Sequence, residues 1–139
     1  MSLTPENIDL VRTGWARVAP VKQHAGRAFY ATLFNMAPAV RPMFKEDISG
    51  QAEKLMNTLD FIVDALDELE TLVPAAQELA VRHVGYGAVD AHYDAVGQAL
   101  VITLKDMLGP QFDEEQERAW TEVYGALSEV MIDAAKSAS

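Results

Sequence analysis

The sequence contains no cysteine, and this absence excludes several classes of site. Without thiols there is no disulfide bond, zinc–thiolate site, iron–sulfur cluster or covalently attached c-type haem. Long apolar runs are also missing, since none approaches the ~18 residues that a membrane-spanning helix requires. The N-terminal residues MSLTPENIDL lack the basic and apolar pattern of a signal peptide. We therefore expect a cytoplasmic protein with no membrane span.

Basic side chains are scarce. Eleven Lys and Arg residues face 21 Asp and Glu residues, which gives a net charge of -10. The acidic side chains cluster in DALDELE (64–70) and DEEQE (113–117). A surface of this sign repels phosphate backbones and anionic lipid, so nucleic acid is not an expected partner. The acidic runs are typical of solvated helix faces.

Strand patterns are absent too, because no stretch alternates apolar and polar residues with a period of two. Half of the 139 residues are apolar, and they recur at helical spacing, which predicts one all-α domain over residues 1–139. Six or seven helices of unequal length argue against a uniform four-helix bundle. The first predicted helix starts after its cap, Thr4, and runs to Pro20, the second runs from about Val21 to Met36, and a short turn of helix lies between Pro38 and Phe44. A long helix then runs from Ser49 or Gly50 through Leu69. The remaining helices run from Pro74 to His83, from about Asp90 to Leu108, and onwards from the cap Asp113.

Histidine occurs three times, and one of these residues lies at an unusual place. In LAVRHVGYG (79–87), His83 closes an apolar helical repeat just before two glycines. Ala76, Leu79, Ala80 and His83 share one helical face, and the small residues leave room for a flat group beside Leu79. A neutral imidazole there is either an ordinary core histidine or a metal ligand. A single histidine disfavours zinc, whereas haem iron needs only one protein nitrogen.

The long predicted helix that begins near Gly50 offers an opposite wall for such a group. Gln51, Leu55 and Leu59 are spaced at i, i+4 and i+8, with Lys54 beside them, where a cation could meet a haem propionate. Each of these residues can equally be an ordinary core or surface residue. The same two readings apply to three aromatic residues, which are Tyr30, Phe34 one turn later, and Phe44 after two prolines.

The order and spacing of six segments match a known family. These segments are AFYATLF (28–34), VRPMF (40–44), GQAEKLM (50–56), LAVRH (79–83), HYDAVGQAL (92–100) and AWTEVYG (119–125). Over essentially its whole length the chain resembles the globins, and specifically the bacterial single-domain haemoglobins similar to the globin half of flavohaemoglobins. It looks especially like the neuroglobin-like Hell's Gate type.

The resemblance implies a globin fold packed around non-covalent haem b. It makes His83 the proximal iron ligand, Phe44 the aromatic packed on the porphyrin, and Tyr30 and Gln51 the distal polar residues. A distal donor would stabilise bound dioxygen, which carries partial negative charge. Because residue 51 is not histidine, closure of the sixth coordination site is not expected. The further implied positions are Leu55 over the iron, Lys54 and Arg82 as propionate partners, Leu79 and Val96 along the haem, and Gly26 with Ala52 at a close helix crossing.

One departure from the family pattern concerns the proximal side. In flavohaemoglobins the proximal histidine belongs to a network with a tyrosine and a glutamate. Tyr93 stands at the tyrosine position, but the glutamate position falls on Ala135, with Glu122 and Glu129 as possible substitutes. Without the carboxylate, His83 would push less electron density towards the ligand, which disfavours strong oxygen activation.

These expectations leave three functions open. The first is reversible binding of dioxygen and other diatomic ligands, for storage or delivery. The second is nitric oxide detoxification as a dioxygenase. No flavin or nicotinamide domain is present, so that enzyme would need electrons from a separate reductase. The third is a globin-fold interaction module without haem, which the combination of His83, Phe44, Gln51 and Tyr30 disfavours.

Overall fold

The fold is described by a computed structural model that covers residues 3–85 and 87–138. Within these ranges every regular element is helical, which confirms the all-α fold with helices of unequal length. Single turns of 3-10 helix lie at Ala19–Val21 and Gly109–Gln111, and a longer one at Pro38–Met43. The α-helices are α1 (Pro5–Val18), α2 (Lys22–Met36), α3 (Ser49–Asp64), α4 (Leu69–Gly85), α5 (Asp90–Leu108) and α6 (Glu114–Ala138).

Helix starts follow the capping signals in the sequence. The Thr4 hydroxyl accepts a hydrogen bond from the backbone N–H of Asn7 at 3.2 Å, and Pro5 occupies the first turn of α1. Asp113 accepts from the backbone N–H of Gln116 at 2.9 Å before α6. Both caps satisfy amides that have no partner inside their own helix.

The predicted boundary between the third and fourth helices is wrong. The apolar repeat suggested one helix through Leu69 and another starting at Pro74, but α3 ends at Asp64 and α4 already begins at Leu69. A residue far away in sequence explains the early end. Arg12 of α1 donates from Nε to the carbonyl of Val63 (3.2 Å) and from Nη2 to that of Asp64 (2.8 Å). These carbonyls at the end of α3 are thereby satisfied from outside the helix.

Pro74 therefore lies inside α4 and does not open it. The helix has its first turn established before the proline, because the carbonyl of Glu68 accepts from the amides of Thr71 (3.0 Å) and Leu72 (2.9 Å). Proline lacks an N–H and interrupts the ladder only at its own position. Proline is a common first residue of a helix, but here the turn that precedes Pro74 has already started α4.

A close crossing joins α2 to α3 at Gly26 and Ala52, the two positions that the family resemblance implied. A Cβ atom added to Gly26 would lie 3.2 Å from the Cβ of Ala52 and 3.1 Å from the Cγ of Met56. A larger residue at position 26 would be tightly packed, and its neighbours on α3 would have to shift by a few tenths of an ångström to admit it. The contact holds the start of α3 over the middle of α2.

The helices leave one gap that positions the site. Helix α4 packs on α6, α2 packs on α5 and α3, and α1 packs on α6, while α3 and α4 scarcely touch each other. Their facing sides therefore form the two walls of a cleft. None of the described helices is both long and apolar enough to cross a membrane.

Candidate functional site

His83 lies near the C-terminal end of α4 and is half-buried. Its Nδ1 atom is 2.6 Å from the backbone carbonyl of Leu79. A carbonyl can only accept, so Nδ1 carries the hydrogen and the lone pair of the ring lies on Nε2. Histidines that bind metals commonly donate their second nitrogen to a carbonyl in this way, which fixes the tautomer and the ring orientation. Ala76 and Ala80, on the same face, are buried in the core.

The cleft contains a cavity of about 290 Å³ between α3 and α4. A larger hollow of about 510 Å³ lies at the turn between the same helices, but acidic residues 67–70 and Thr71 line it, and it includes none of the predicted site residues. Of the predicted site residues, Leu79 and Arg82 line the first cavity, whereas His83 and the aromatic residues are not part of its lining. Its lining residues are Asn57, Thr58, Phe61, Ala75, Glu78, Leu79 and Arg82.

Aromatic rings form one cluster near the start of α3. The ring of Tyr30 lies 5.7 Å from that of Phe34 and 5.4 Å from that of Phe44, and the two phenylalanine rings are 5.4 Å apart. Phe29 contacts Tyr30 edge to face at 5.0 Å. These separations are typical of favourable aromatic pairs. The predicted residues Tyr30 and Phe44, which are 14 positions apart in the sequence, are thus brought together.

A hydrogen bond joins Tyr30 to Gln51 across the α2–α3 crossing. The Gln51 amide donates from Nε2 to the hydroxyl oxygen of Tyr30 at 3.2 Å. Tyr30 is only 3% exposed, and this burial raises the pKa of its hydroxyl, although the bond from Gln51 opposes the shift. Tyr30 therefore keeps its proton at neutral pH. Since Gln51 uses a lone pair of the oxygen, the hydroxyl hydrogen can be donated to a further acceptor.

Arg41 organises the loop that carries Phe44, a role that the sequence analysis missed. Its guanidinium donates to the backbone carbonyls of Phe44 (3.3 Å), Lys45 (2.9 Å) and Glu46 (2.9 Å). It also lies over the ring of Phe34 at 4.8 Å. The position of Arg41 in the family segment VRPMF marked it as a residue of interest, but nothing in the sequence indicated these hydrogen bonds. These hydrogen bonds from the forked guanidinium of Arg41 fix the backbone that follows Pro38–Met43 and, with it, the Phe44 ring.

The proximal side brings Tyr93 near His83, with 6.4 Å between the ring centroids. Tyr124 of α6 donates its hydroxyl to the backbone carbonyl of Tyr93 at 2.6 Å, a contact the sequence did not suggest. Burial raises the pKa of the Tyr124 hydroxyl, so it stays a donor. Ala135 is half-buried inside α6, which continues to Ala138. Two acidic residues of α6 are possible substitutes for the missing carboxylate near Tyr93. Glu122 accepts a hydrogen bond from the side chain of Asn7 in α1, and Glu129 is exposed.

The remaining predicted residues differ in how deeply they are buried. Leu55 and Val96 are half-buried against the core, and Lys54 is exposed on α3. Arg82 pairs with Glu78 at 2.6 Å on the surface of α4, so its pairing with a propionate would require that bond to open. His92, which stands beside Tyr93, accepts from the backbone N–H of Val89 at 3.1 Å at the start of α5.

This arrangement suits a group that supplies most of its own metal ligands. Across the described ranges, no three His, Asp or Glu side chains come together as they would around an ion held by side chains alone. One imidazole with a fixed tautomer on one wall, small residues beside it and an aromatic cluster with a tyrosine donor fit a flat macrocycle that needs a single axial nitrogen. The residues present therefore fit haem.

Comparison with known proteins agrees with this site. A family model described as Globin matches residues 27–131. The chain is 28% identical over 138 residues to a flavohemoprotein of Vibrio cholerae and 29% identical over 137 residues to one of Bordetella bronchiseptica, covering 94% of this chain each time. It spans about a third of the length of these curated relatives (34% and 33%).

Solved structures share the fold over nearly the whole chain. A bacterial globin from Campylobacter jejuni superposes with a TM-score of 0.85 at 27% identity, covering 96% of this chain and 97% of its own. An engineered carbene transferase from Rhodothermus marinus, described as a proposed nitric oxide dioxygenase, gives 0.88 at 24% identity, covering 98% and 95%. The second likeness concerns the fold alone.

Proposed function

We propose that this chain, which belongs to the globin family, binds haem b non-covalently between α3 and α4 and reversibly binds dioxygen there. Membership of the family implies haem binding and diatomic ligands. The geometry of His83 supports the proposal most directly, because its bond to the Leu79 carbonyl presents Nε2 as a ligand nitrogen. His83 would hold the haem iron through Nε2, and the bound haem would supply an iron centre able to bind a diatomic gas.

The chain's own residues would hold the group and tune the ligand site. His83 would supply the axial nitrogen, and Phe44 the aromatic surface, while Leu55, Leu79 and Val96 would exclude water. Lys54 and Arg82 would pair with propionates at the exposed rim, where such pairs contribute little to stability. Tyr30 would donate its hydroxyl hydrogen to a diatomic ligand with partial negative charge, oriented by Gln51.

A second function, nitric oxide detoxification, is favoured by one observation. The curated relatives are flavohemoproteins, and the chain covers only about a third of their length. Nitric oxide removal in these relatives' manner would require electrons from a reductase, which these 139 residues do not themselves supply. Ala135 at the position of the network carboxylate favours reversible oxygen binding over oxygen activation.

The test of haem binding uses two histidine variants. Purified protein is titrated with haem and followed by visible absorption. His83→Ala should lose the ferrous spectrum of an imidazole-ligated haem, whereas His92→Ala, the matched control, should keep it. An unchanged ferrous spectrum in His83→Ala would contradict the assignment.

The two candidate functions are then separated with the wild-type protein. Oxygen binding and release are measured first, and nitric oxide consumption is measured with and without an added generic reductase. Catalytic nitric oxide consumption that depends on the reductase would favour detoxification. Reversible oxygenation with only stoichiometric nitric oxide loss would favour oxygen storage or delivery.

A further inference from the structure

Charged side chains are few around the cavity between α3 and α4. Among the described residues that line it, Arg82 supplies a positive charge, Glu78 supplies a negative charge, and the rest are neutral. The cavity adjoins the proposed iron ligand, because another lining residue, Leu79, accepts the hydrogen bond from Nδ1 of His83 at 2.6 Å. The lining therefore carries no net charge that would attract an anionic group.

The cation of this lining is paired with its anion. Nη2 of Arg82 donates to Oε1 of Glu78 at 2.6 Å, and the two residues are four positions apart on α4. An acid that precedes a base by four residues is the favourable order on a helix, so the local sequence stabilises this pair. The two side chains are 59% and 67% exposed, and an ion pair in such contact with water is weak. A competing carboxylate can therefore displace it.

A second cation reaches the lining from α2 and is also paired. Lys22 donates from Nζ to the amide oxygen of Asn57, a lining residue, at 3.4 Å. The same Nζ forms an ion pair with the carboxylate of Asp60 at 2.6 Å. Because Asp60 neutralises it, Lys22 does little to attract an anion into the cavity. Arg82 is therefore the residue for which Glu78 and an anionic ligand compete.

We propose that Glu78 is a specificity-determining residue for the bound porphyrin, because it competes with a haem propionate for Arg82. The proposal rests on the proposed binding of haem. A propionate that pairs with Arg82 displaces Glu78 and then lies near a carboxylate of the same charge. A porphyrin with an uncharged edge meets neither cost. Glu78 therefore shortens the retention of haem and leaves the retention of an esterified porphyrin unchanged.

The expected size of the effect follows from the exposure of the pair. Exposed ion pairs and exposed contacts between like charges each change an equilibrium by about a factor of two. Glu78→Gln removes both, since glutamine neither holds Arg82 as an ion pair nor repels a propionate. We therefore expect this variant to lose haem about threefold more slowly.

Haem loss measures this competition directly. Wild type, Glu78→Gln and Glu70→Gln are each loaded with haem and mixed with an excess of apomyoglobin as the acceptor, and visible absorption follows the transfer. Glu78→Gln should show the slower loss. Glu70→Gln makes the same charge change at the other end of α4 and should match wild type. An unchanged rate in Glu78→Gln would overturn the proposal.

Two further measurements separate competition for Arg82 from a structural effect of the substitution. When loaded with haem dimethyl ester, whose esterified propionates carry no charge, Glu78→Gln and wild type should lose the porphyrin at the same rate. In an Arg82→Gln background, Glu78→Gln should slow the loss of haem much less, because only the repulsion remains to be removed. Undiminished slowing with the ester or in this background would overturn the competition.

The absorption spectrum recorded before mixing separates this inference from the proposed function. Without a haem spectrum in wild type the proposed function fails, and the role of Glu78 fails with it. With a haem spectrum and an unchanged rate in Glu78→Gln, only the role of Glu78 fails.

Discussion

The amide of Gln51 donates to the hydroxyl of Tyr30 at 3.2 Å, which ties the first turn of α3 to the middle of α2. Gln51 is exposed and Tyr30 is buried, so the pair spans from solvent to the interior beside the aromatic cluster. The residue nearer the solvent orients the buried one. The two side chains should consequently act on ligand release as a unit.

Tyr30→Phe should speed dioxygen dissociation, because it removes the donor to a partly charged ligand. The loss of roughly 1.4 kcal/mol of stabilisation corresponds to about a tenfold faster rate. Gln51→Leu should act in the same direction with a smaller effect, since Tyr30 retains its hydroxyl. Carbon monoxide carries less charge, so its release, measured by stopped flow alongside, should change less. Equal acceleration of both gases would indicate a steric role.

Arg41→Lys should loosen the segment that carries Phe44. Lysine cannot reproduce the planar fork that bonds three successive carbonyls and lies over Phe34. Losing these bonds should lower local stability by about 1–2 kcal/mol, seen as faster amide hydrogen exchange after residue 44. Arg17→Lys, on the exposed side of α1, is the control. Identical exchange in both variants would show that the fork does not hold the loop.

Two helix glycines should respond oppositely to alanine. A Cβ at Gly97 would lie 2.7 Å from the ring of Tyr124, whereas a Cβ at Gly125 meets nothing within 4 Å. Gly97→Ala should destabilise the protein by about 1–3 kcal/mol through overpacking. Gly125→Ala should stabilise it by about 0.5–1 kcal/mol, because helical glycine is entropically costly. Urea unfolding of both variants measures the difference, and a stabilised Gly97→Ala would refute the packing argument.

Acid should weaken the α1–α3 contact through Asp60. The hydrogen bond from Lys22 holds the pKa of Asp60 below its ordinary 3.8. A carboxyl with a depressed pKa in the folded state stabilises the fold above pH 3.8, and this contribution is lost as pH falls through the folded-state value. Stability measured between pH 6 and 2.5 should therefore fall less steeply in Asp60→Asn than in wild type. Parallel curves would show that the ion pair does not contribute.

Ala135→Glu should restore a carboxylate on the proximal side. The residue is half-buried within α6, which packs on α4, so a glutamate there is not simply a frayed end. If it joins Tyr93, His83 becomes a stronger donor, the ferric/ferrous potential falls and peroxide reactivity rises. Tyr93→Phe in the same background should cancel most of the gain. A redox titration that gives the same ferric/ferrous potential for Ala135→Glu and the wild type would contradict the proposed network.

The structure brings the predicted residues Tyr30, Gln51 and Phe44 together, whereas one predicted helix boundary is wrong, and both outcomes have a physical reason. His83 shares its helix with Leu79, and Tyr30 and Gln51 lie on helices that cross where small residues permit, so short-range spacing carries the information. The end of α3 instead depends on Arg12, about fifty residues earlier in the chain. Such a side chain leaves no periodic signal near the carbonyls that it caps.

The long-range polar contacts could not be predicted from the sequence for the same reason. The fork of Arg41 and the bond from Trp15 to Asp60 depend on where the backbone turns, and residue type alone does not specify that. In the sequence, Trp15 and Trp120 are simply two of the apolar residues that recur at helical spacing. Their meeting at 6.4 Å follows from the packing of α1 on α6.

The sparse contact between α3 and α4 has a consequence for how the protein acquires its cofactor. The two walls are braced by different partners, α3 by α2 and α4 by α6. Parting them breaks few contacts, and the short turn at residues 65–68 can absorb the motion. We therefore expect the gap between α3 and α4 to open more readily than the contact of either helix with its own support, which would admit a cofactor without unfolding the other helices.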